Sequence, residues 1–393
     1  MDIFYKDLGE LVLSSLENRK PNLQGEKPDY SKLLNIAYMH HMGQLLLVPA
    51  LNSWNWSEQD TANLKKQIMG GMFGTAKLDV VQKQLEKEFE ENGVKFLMMK
   101  GSVIKYIYPK QELREMGDID LLVYPESFPK AEEVLETLGY VVVEDVKQHK
   151  VYKSPGGVCV EAHHTMCDRT TDKKMYEYFC DYSKHKLKDG KKYTYEMTNE
   201  DFYVYLMAHM ARHFYVKGCG IRNLVDIYIY DKVYGKQLNR AYVEQELNKI
   251  GILDYTKQME KLTAIWLKGQ ETAEVYDNIF EYMLDGGSYG HDYNGFWNRF
   301  SKVDPQKENK FQLKLWYYFP PLTYMSEKYP FLEKAPACLP FFWVKRVFDS
   351  LFASKKVRQS KEERREHVQN VDENTIRKMS EIYRSMNFRF TSR

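Results

Sequence analysis

Two aspartates inside an apolar run constrain this chain more than any other feature of its sequence. Residues 118–123 read DIDLLV, and an interior strand avoids aspartate because burying an unpaired carboxylate is costly. Side chains two apart on a strand point to the same side, so Asp118 and Asp120 face one way and their apolar neighbours pack the other way (Ile119, Leu121 and Val123). Two carboxylates this close repel unless a cation lies between them. The run therefore predicts a cation site on one face of a buried strand.

A third carboxylate stands in a later strand pattern, VCVEAHH. Glu161 alternates there with apolar residues and shares its face with Cys159 and His163. Mg²⁺, or Mn²⁺ in its place, prefers carboxylate oxygens. We therefore predict Asp118, Asp120 and Glu161 as metal ligands and catalytic residues. The plainer alternatives are an aspartate pair neutralised by a nearby base, and a salt-bridged Glu161.

A lysine-glycine-serine turn precedes the aspartates. Lys100, Gly101 and Ser102 lie between a strand pattern and a helix pattern, where backbone N–H groups and a hydroxyl would meet a phosphate. With Arg114 they form the predicted nucleotide-binding set. For Lys100 and Arg114 the alternative is an ordinary solvated charge.

The periodicity of the chain predicts an α+β fold. Helical spacing dominates residues 1–90, strand patterns follow from residue 94 to 165, and helical spacing returns after about residue 181. We predict a mixed β-sheet core at about residues 94–165, flanked by an N-terminal helical segment and a large, mostly helical C-terminal region. The predicted divisions are 1–90 (helical), 91–185 (catalytic core), 186–350 (helical, completing the cleft) and 351–393 (a charged helical tail).

The bulk composition narrows the class of protein. With 393 residues, two domains or one large composite are expected, and a formal charge of +2 argues against a polyanion binder by overall charge. Five cysteines without a Cys-x-x-Cys pair predict neither a disulfide framework nor a cysteine zinc site. The sequence shows no secretory signal and no apolar run long enough to span a membrane. We expect a cytoplasmic protein.

A further group of residues is expected to line the cleft or contact the acceptor: His163, His209, His213, Arg222 and Asp226. His163 would orient Glu161 or contact phosphate. The i, i+4 spacing of His209 and His213 suits zinc, although two helix histidines at a domain contact are commoner. Arg222 and Asp226 have the spacing of a helix-surface salt bridge, or Arg222 would instead contact a triphosphate or the second substrate.

Two C-terminal segments carry open alternatives. The GGSYG stretch at 286–290 reads as a flexible turn or as a loop that closes over a nucleotide. The segment LPFFWVKRVFDSLFASKKVR has aromatic residues on one side and basic residues on the other. Packing against the helical region is the commoner use of such a helix, and peripheral contact with an anionic membrane is a minor alternative.

These motifs together carry a family resemblance. The Gly-Ser at 101–102, the GDID at 117–120 and a later acidic strand residue resemble the signature of the DNA polymerase beta nucleotidyltransferase superfamily. The gap between Ser102 and Asp118 is a little longer than in minimal members. More closely, the chain resembles the bacterial uncharacterised nucleotidyltransferase family over roughly residues 30–350, through KGSVIKYIYP, GDIDLLV, VEAHHT, HMARH, GIRNLVDIY, GGSYG and YPFLEKAPACLPFFWVKR.

The resemblance implies a nucleotidyltransferase core and an enzyme of the EC 2.7.7 type. A metal-dependent enzyme of this kind transfers a nucleoside monophosphate from an NTP such as ATP to an acceptor hydroxyl and releases pyrophosphate. The near-neutral charge favours a small-molecule or protein acceptor over a nucleic acid. One alternative is a non-catalytic nucleotide-binding or interaction protein of the same fold, against which the intact carboxylates weigh. Another is a toxin-like enzyme that modifies tRNA or a protein.

Overall fold

A computed structural model describes residues 1–146, 148–167, 172–291, 293–301, 309–352 and 355–390. The helices run in the order α1 (Ile3–Glu17), α2 (Tyr30–Met39), α3 (Gly43–Ser53), α4 (Glu58–Glu91), α5 (Gly101–Ile104), α6 (Phe128–Thr137), α7 (Lys173–Phe179), α8 (Asn199–Val216), α9 (Arg222–Tyr234), α10 (Arg240–Lys249), α11 (Leu253–Lys268), α12 (Glu274–Gly286), α13 (Trp297–Phe300), α14 (Lys310–Tyr318), α15 (Leu322–Lys328), α16 (Phe331–Lys334), α17 (Leu339–Leu351), α18 (Lys355–Asn370) and α19 (Glu373–Ser385). The strands are β1 (Phe96–Met98), β2 (Asp118–Val123), β3 (Val141–Asp145), β4 (His149–Lys153), β5 (Cys159–His163), β6 (His185–Leu187) and β7 (Thr194–Met197).

The strands of the described ranges form one mixed sheet, in the order β3-β4-β5-β2-β1-β7-β6. This confirms the predicted α+β class. Strand β2 pairs in parallel with β5, which sets Asp120 directly beside Glu161. The two strands that carry the predicted carboxylates are therefore neighbours.

The sheet extends further along the chain than residues 94–165, and the expected return to helix after residue 181 was wrong for β6 and β7. These strands have only three and four residues, too few for a reliable alternation pattern. Strand β7 joins the sheet by pairing in parallel with β1, where Phe96 aligns with Thr194. A contact between segments so distant in sequence leaves no local signal.

The two faces of the sheet enter different hydrophobic cores, as the alternation in β2 predicts. Ile119, Leu121 and Val123 pack with residues of α4 and α6, among them Leu85. Leu122 packs on the opposite side with the large helical core. Helix α4, although it lies in the predicted N-terminal segment, thus covers one face of the sheet.

The end of the chain is only partly a solvated tail. Helix α18 is charge-rich, but α19 buries Ile376 and Ile382 in the main helical core. The Tyr383 hydroxyl lies 2.7 Å from that of Tyr282 on α12. The predicted charged tail therefore ends in a helix that belongs to the fold.

Helix α17 leaves a row of large apolar side chains uncovered by the described residues. The exposed fractions are 67% for Phe341, 55% for Val344 and 57% for Phe348. The predicted packing of this segment against the helical region is therefore incomplete. None of the helices in the described ranges is long and apolar enough to cross a membrane.

Candidate active site

A cavity of about 330 Å³ lies where the sheet meets α8, α9 and the loop after α12. Its volume falls within the range of about 300–1,000 Å³ that is common for ligand sites. All but one of the residues predicted from the sequence line it: Lys100, Gly101, Arg114, Asp118, Asp120, Glu161, His163, His209, His213, Arg222 and Asp226. Ser102 is the exception. The parallel pairing of β2 and β5 brings the acidic residues to this cavity.

Asp120 contacts a lysine and a histidine in the cavity. Its Oδ1 atom lies 2.6 Å from the Lys100 ammonium and 2.9 Å from Nε2 of His163. Burial alone would raise the pKa of Asp120, but Lys100 and His163 outweigh that effect and hold the pKa well below its usual range. Asp120 is therefore ionised at neutral pH.

Asp118 behaves in the opposite way. Burial, followed by repulsion from Asp120 and Glu161, raises the pKa of Asp118 to about 7. The Lys100 ammonium pairs with Asp120. The positive charge that remains near Asp118 is too weak to keep this carboxyl fully ionised at neutral pH. An additional cation at this point would satisfy Asp118, as the spacing of the two aspartates predicts.

Glu161 lies among histidines. Its Oε2 atom is 3.2 Å from Nε2 of His163 and 4.0 Å from Nε2 of His149. The prediction that His163 orients Glu161 agrees with this contact. His149 was missed by the sequence reasoning, although the strand-like run KVYKSP directly after it, at 150–155, and the turn Pro155-Gly156-Gly157 are typical of a hairpin that would include it. A hairpin through that turn aligns His149 directly with His163.

The turn after β1 is strained at Lys100. This residue has φ +47° and ψ −123°, a conformation that disfavours any residue with a Cβ atom. A Cβ atom at Gly101 would lie 2.6 Å from Sδ of Met116, so a larger residue there would require the Met116 side chain to move. The turn thus brings the Lys100 ammonium to Asp120 and leaves the Gly101 backbone at the cavity wall.

Ser102 lies outside this cavity. It is 2% exposed, and its hydroxyl has no hydrogen-bond partner among the described residues. It lines a separate cavity of about 390 Å³, together with residues such as Tyr106 and Phe202. Ser102 is therefore not positioned to contact a phosphate in the main cavity.

Asp226 pairs with Arg114, which corrects the expected pairing of Arg222 with Asp226 along α9. The Arg114 guanidinium donates from Nε and Nη2 to the two oxygens of Asp226, at 2.7 and 2.8 Å. The Tyr108 hydroxyl donates a further bond of 2.7 Å to Asp226. Such a fork-to-carboxylate pair is strong and geometrically specific. The charges of Arg114 and Asp226 largely neutralise each other inside the protein. Arg114 therefore mainly supports the cavity wall.

Arg222 keeps donor capacity for a ligand. Its Nη1 atom donates to the Glu115 carbonyl at 3.0 Å, while its Nε is buried without a partner among the described residues. Burial, followed by repulsion from Arg114, lowers the pKa of Arg222 to about 10. A buried guanidinium with an unsatisfied donor favours an anionic ligand. This geometry supports the triphosphate alternative for Arg222.

His209 and His213 form part of the cavity wall on α8. Their rings pack edge to face with centroids 4.4 Å apart. Burial lowers the pKa of His213 to about 3 and that of His209 well below its usual range, so both rings are neutral at physiological pH. Among the described residues, one group of three side chains lies close enough together to share a metal ion, and neither of these histidines belongs to it.

The GGSYG stretch reaches the cavity. Ser288 and Tyr289 are among the lining residues, and a Cβ atom at Gly117 would lie 3.3 Å from the Tyr289 hydroxyl. Tyr289 is 62% exposed and packs edge-on against His41 at 5.8 Å. The loop therefore lies beside the aspartate strand, where a ligand would contact it.

Two further cavity residues were missed by the sequence reasoning. Arg212 and Gln148 line the cavity and share a hydrogen bond of 3.2 Å.

Comparison with known proteins identifies a family. Residues 27–268 match the sequence model of a family described as uncharacterised nucleotidyltransferase. The matched range contains β2, β5, α8 and α9, and hence the carboxylates and the histidine and arginine walls of the cavity. No curated protein and no solved structure matches the chain.

Proposed function

Because the chain belongs to the uncharacterised nucleotidyltransferase family, we propose that it is a metal-dependent enzyme that transfers a nucleoside monophosphate from an NTP to an acceptor hydroxyl. The observation that carries the proposal is the opposite behaviour of two carboxylates on one strand. Asp120 is held ionised by Lys100 and His163, while the pKa of Asp118 is raised to about 7. We also propose that the chain belongs to the DNA polymerase beta nucleotidyltransferase superfamily, as its Gly-Ser and Asp-x-Asp motifs suggest.

The donor set fits a hard divalent cation. Asp118, Asp120 and Glu161 offer carboxylate oxygens in one cavity, and Mg²⁺ or Mn²⁺ prefers such oxygens together with substrate phosphates. These three residues would hold the ion. Bound there, the ion would neutralise charge on the reacting phosphate groups.

The basic residues would hold the triphosphate. Lys100 can turn from Asp120 toward a phosphate once another cation neutralises the carboxylate, because the contact that holds its ammonium among the described residues is with the Asp120 side chain. Nε of Arg222 is a donor without a partner among the described residues. The Gly101 backbone lets a phosphate approach without a side chain in the way. Ser102 is left out of this set because it does not line the cavity.

The reaction balances as a displacement at the α-phosphorus. An acceptor hydroxyl oxygen forms a bond to that phosphorus, the bond between the α-phosphorus and its bridging oxygen to the β-phosphate breaks, and pyrophosphate leaves. The hydroxyl proton passes to Glu161, which His163 positions at 3.2 Å. Orientation of the acceptor would come from the α8 and α9 walls, through His209, His213 and Arg222.

The acceptor proposed is a small molecule or a protein side chain. Of the described basic residues in the cavity wall, Arg114 is paired with Asp226 and the rings of His209 and His213 are neutral. That leaves Lys100, Arg212 and Arg222 for an anionic ligand, a set that suits one triphosphate better than the many phosphates of a nucleic-acid backbone. Pyrophosphate release that requires tRNA would contradict this choice of acceptor.

Pyrophosphate release tests the proposal. Purified protein is incubated with Mg²⁺ or Mn²⁺, each of the four ribonucleoside triphosphates and pools of metabolites, protein or tRNA. We expect release with at least one pool and a loss of at least about 100-fold in Asp118→Asn and Asp120→Asn, a typical cost for groups that act on transition-state charge. Glu126→Gln, which removes an exposed carboxylate elsewhere, is the matched control. Equal release by all four proteins, or none with any pool, would contradict the proposal.

A further inference from the structure

We infer that His149, Glu161 and His163 form a second cation subsite beside the Asp118–Asp120 pair, selective for a divalent transition metal of the Zn²⁺ type over Mg²⁺. The inference rests on the proposed function in one respect, because Glu161 belongs to both sets of ligands. It goes beyond that function because the two histidines supply nitrogen ligands that phosphoryl transfer by carboxylate-bound Mg²⁺ does not require.

The sheet register builds this subsite. His149 on β4 is the direct antiparallel partner of His163 on β5, and directly opposed residues share a face of the sheet. Glu161 stands two residues before His163 and so points the same way. One ring or carboxylate atom from each of the three side chains lies within 4.8 Å of the other two. Three ligands thus converge from rigid strands and not from loops.

The distances suit a single small ion. Oε2 of Glu161 is 3.2 Å from Nε2 of His163 and 4.0 Å from Nε2 of His149. Ligand atoms bound to zinc at about 2.0–2.2 Å lie roughly 3–4 Å from one another. The two imidazole rings already lie 4.9 Å apart at an angle of 36°, and binding through Nε2 of His163 would replace the 2.9 Å contact of this atom with Oδ1 of Asp120.

The donor types decide the class of metal. Mg²⁺ demands oxygen ligands and keeps several waters, whereas imidazole suits zinc and related transition metals, whose affinity also rises along the Irving–Williams series. Two histidines and one carboxylate are a common ligand set for catalytic zinc with an open position. That open position would face the cavity that contains the substrates.

Cobalt(II) is the probe, because its visible absorption reports nitrogen ligation and because it occupies zinc sites. The full-length protein is freed of metal with a chelator, and Co²⁺ is added in the presence of excess Mg²⁺. We expect one equivalent of Co²⁺ to bind with a tetrahedral-type spectrum that Zn²⁺ displaces. The affinity should fall at least about tenfold in His149→Ala and in His149→Gln, since even indirect changes at metal sites cost 10–100-fold.

His164→Ala is the matched control. His164 follows His163 directly but stacks on Phe128 at 3.8 Å, on the other side of the strand, so its loss should leave the spectrum unchanged. X-ray absorption at the zinc edge of the wild-type protein, which needs no variant, should show imidazole scattering. Absence of that scattering, or equal Co²⁺ binding by wild type and both His149 variants, would overturn the inference.

Asp118→Asn separates this inference from the proposed function. It should abolish pyrophosphate release yet leave the tetrahedral-type Co²⁺ spectrum and its dependence on His149 in place, because Asp118 is outside the three-ligand set. If Asp118→Asn keeps pyrophosphate release while Co²⁺ binding still depends on His149, the proposed function fails and the metal subsite stands. If Co²⁺ binding is independent of His149 while Asp118→Asn is inactive, the reverse holds.

Discussion

The Lys100 ammonium lies 2.6 Å from Oδ1 of Asp120, at the end of a turn in which Lys100 itself has a φ of +47°. A non-glycine residue in such a conformation costs about 1–3 kcal/mol and persists where the surrounding structure enforces it. The strain therefore accompanies a lysine that neutralises the central carboxylate of the site. This relationship leads to the first prediction.

Replacing Lys100 should separate its charge from its backbone strain. Lys100→Met keeps the strain and loses the ammonium, so divalent ions alone should bind more tightly and NTP more weakly, each by about tenfold, or 1.4 kcal/mol. Lys100→Gly should show the same binding changes but exceed Lys100→Met in free energy of unfolding by about 1 kcal/mol. Calorimetric titration and urea unfolding measure the two effects. Tighter NTP binding in Lys100→Met would contradict the proposed phosphate contact.

Metal binding should depend on pH through Asp118. Because its pKa is raised to about 7, an incoming ion must displace a proton below that pH and none above it. The apparent affinity for Mn²⁺ should rise about tenfold per pH unit from pH 5 to near 7 and then level off. Asp118→Asn should bind more weakly and with a flatter profile. Titration calorimetry at four pH values checks this, and a flat wild-type profile would refute it.

The same pKa shift has a consequence for the metal-free fold. A carboxyl whose folded pKa is raised destabilises the folded state above its unfolded pKa near 4, with the full effect above pH 7. Asp118→Asn should therefore stabilise the metal-free protein at pH 8, on the order of 2 kcal/mol at about 1.4 kcal/mol per pKa unit with a discount for its partial exposure. The gain should vanish below pH 4. Urea unfolding in the presence of a chelator gives both values.

The buried Arg114–Asp226 pair should be important for folding. Its side chains are 7% and 1% exposed and share two hydrogen bonds. Breaking it with Asp226→Asn leaves a buried guanidinium uncompensated, a loss of about 3–5 kcal/mol. As a control, Glu373→Gln at the exposed pair with Arg377 should change stability by less than about 0.5 kcal/mol. Similar losses of stability in Asp226→Asn and Glu373→Gln would contradict the predicted importance of the buried pair.

His213 should make the protein acid-labile. Burial lowers its pKa to about 3, so its contribution to stability is present above pH 6.5 and is lost as the pH falls from there toward 3. Between pH 6.5 and 4.5 the free energy of unfolding of His213→Gln should therefore fall less than that of the wild type, by on the order of 2 kcal/mol. His291, whose pKa is raised by its contact with Asp285, supplies a control of opposite sign, since its contribution is lost as the pH rises. Unfolding at several pH values distinguishes the two slopes.

Much of the site followed from the sequence because its residues belong to local patterns. The alternation of DIDLLV fixed the face of Asp118 and Asp120, and VCVEAHH did the same for Glu161 and His163. Their meeting depends on the parallel pairing of β2 and β5, which the motif order suggested but the local pattern did not encode. Strand periodicity thus predicted which side chains share a face of their strand, and the pairing of the two strands brings them together.

The parts that were not predicted depend on tertiary contacts. The i, i+4 rule pointed Arg222 at Asp226, yet a fork from Arg114, 112 residues away, outcompetes it. Ser102 followed the turn motif, but the turn buries its side chain away from the cavity. The short strands β6 and β7 and the docked helix α19 likewise owe their positions to distant partners.

The most direct test is a crystal structure with Mn²⁺ and a non-hydrolysable NTP, recorded at a wavelength where manganese scatters anomalously. We predict an anomalous peak in contact with carboxylate oxygens of both Asp118 and Asp120, with the triphosphate against Lys100 and Arg222. A nucleotide and metal bound elsewhere, or a cavity in which Lys100 still pairs with Asp120 at saturating Mn²⁺ and nucleotide, would contradict the proposed nucleotidyltransferase site.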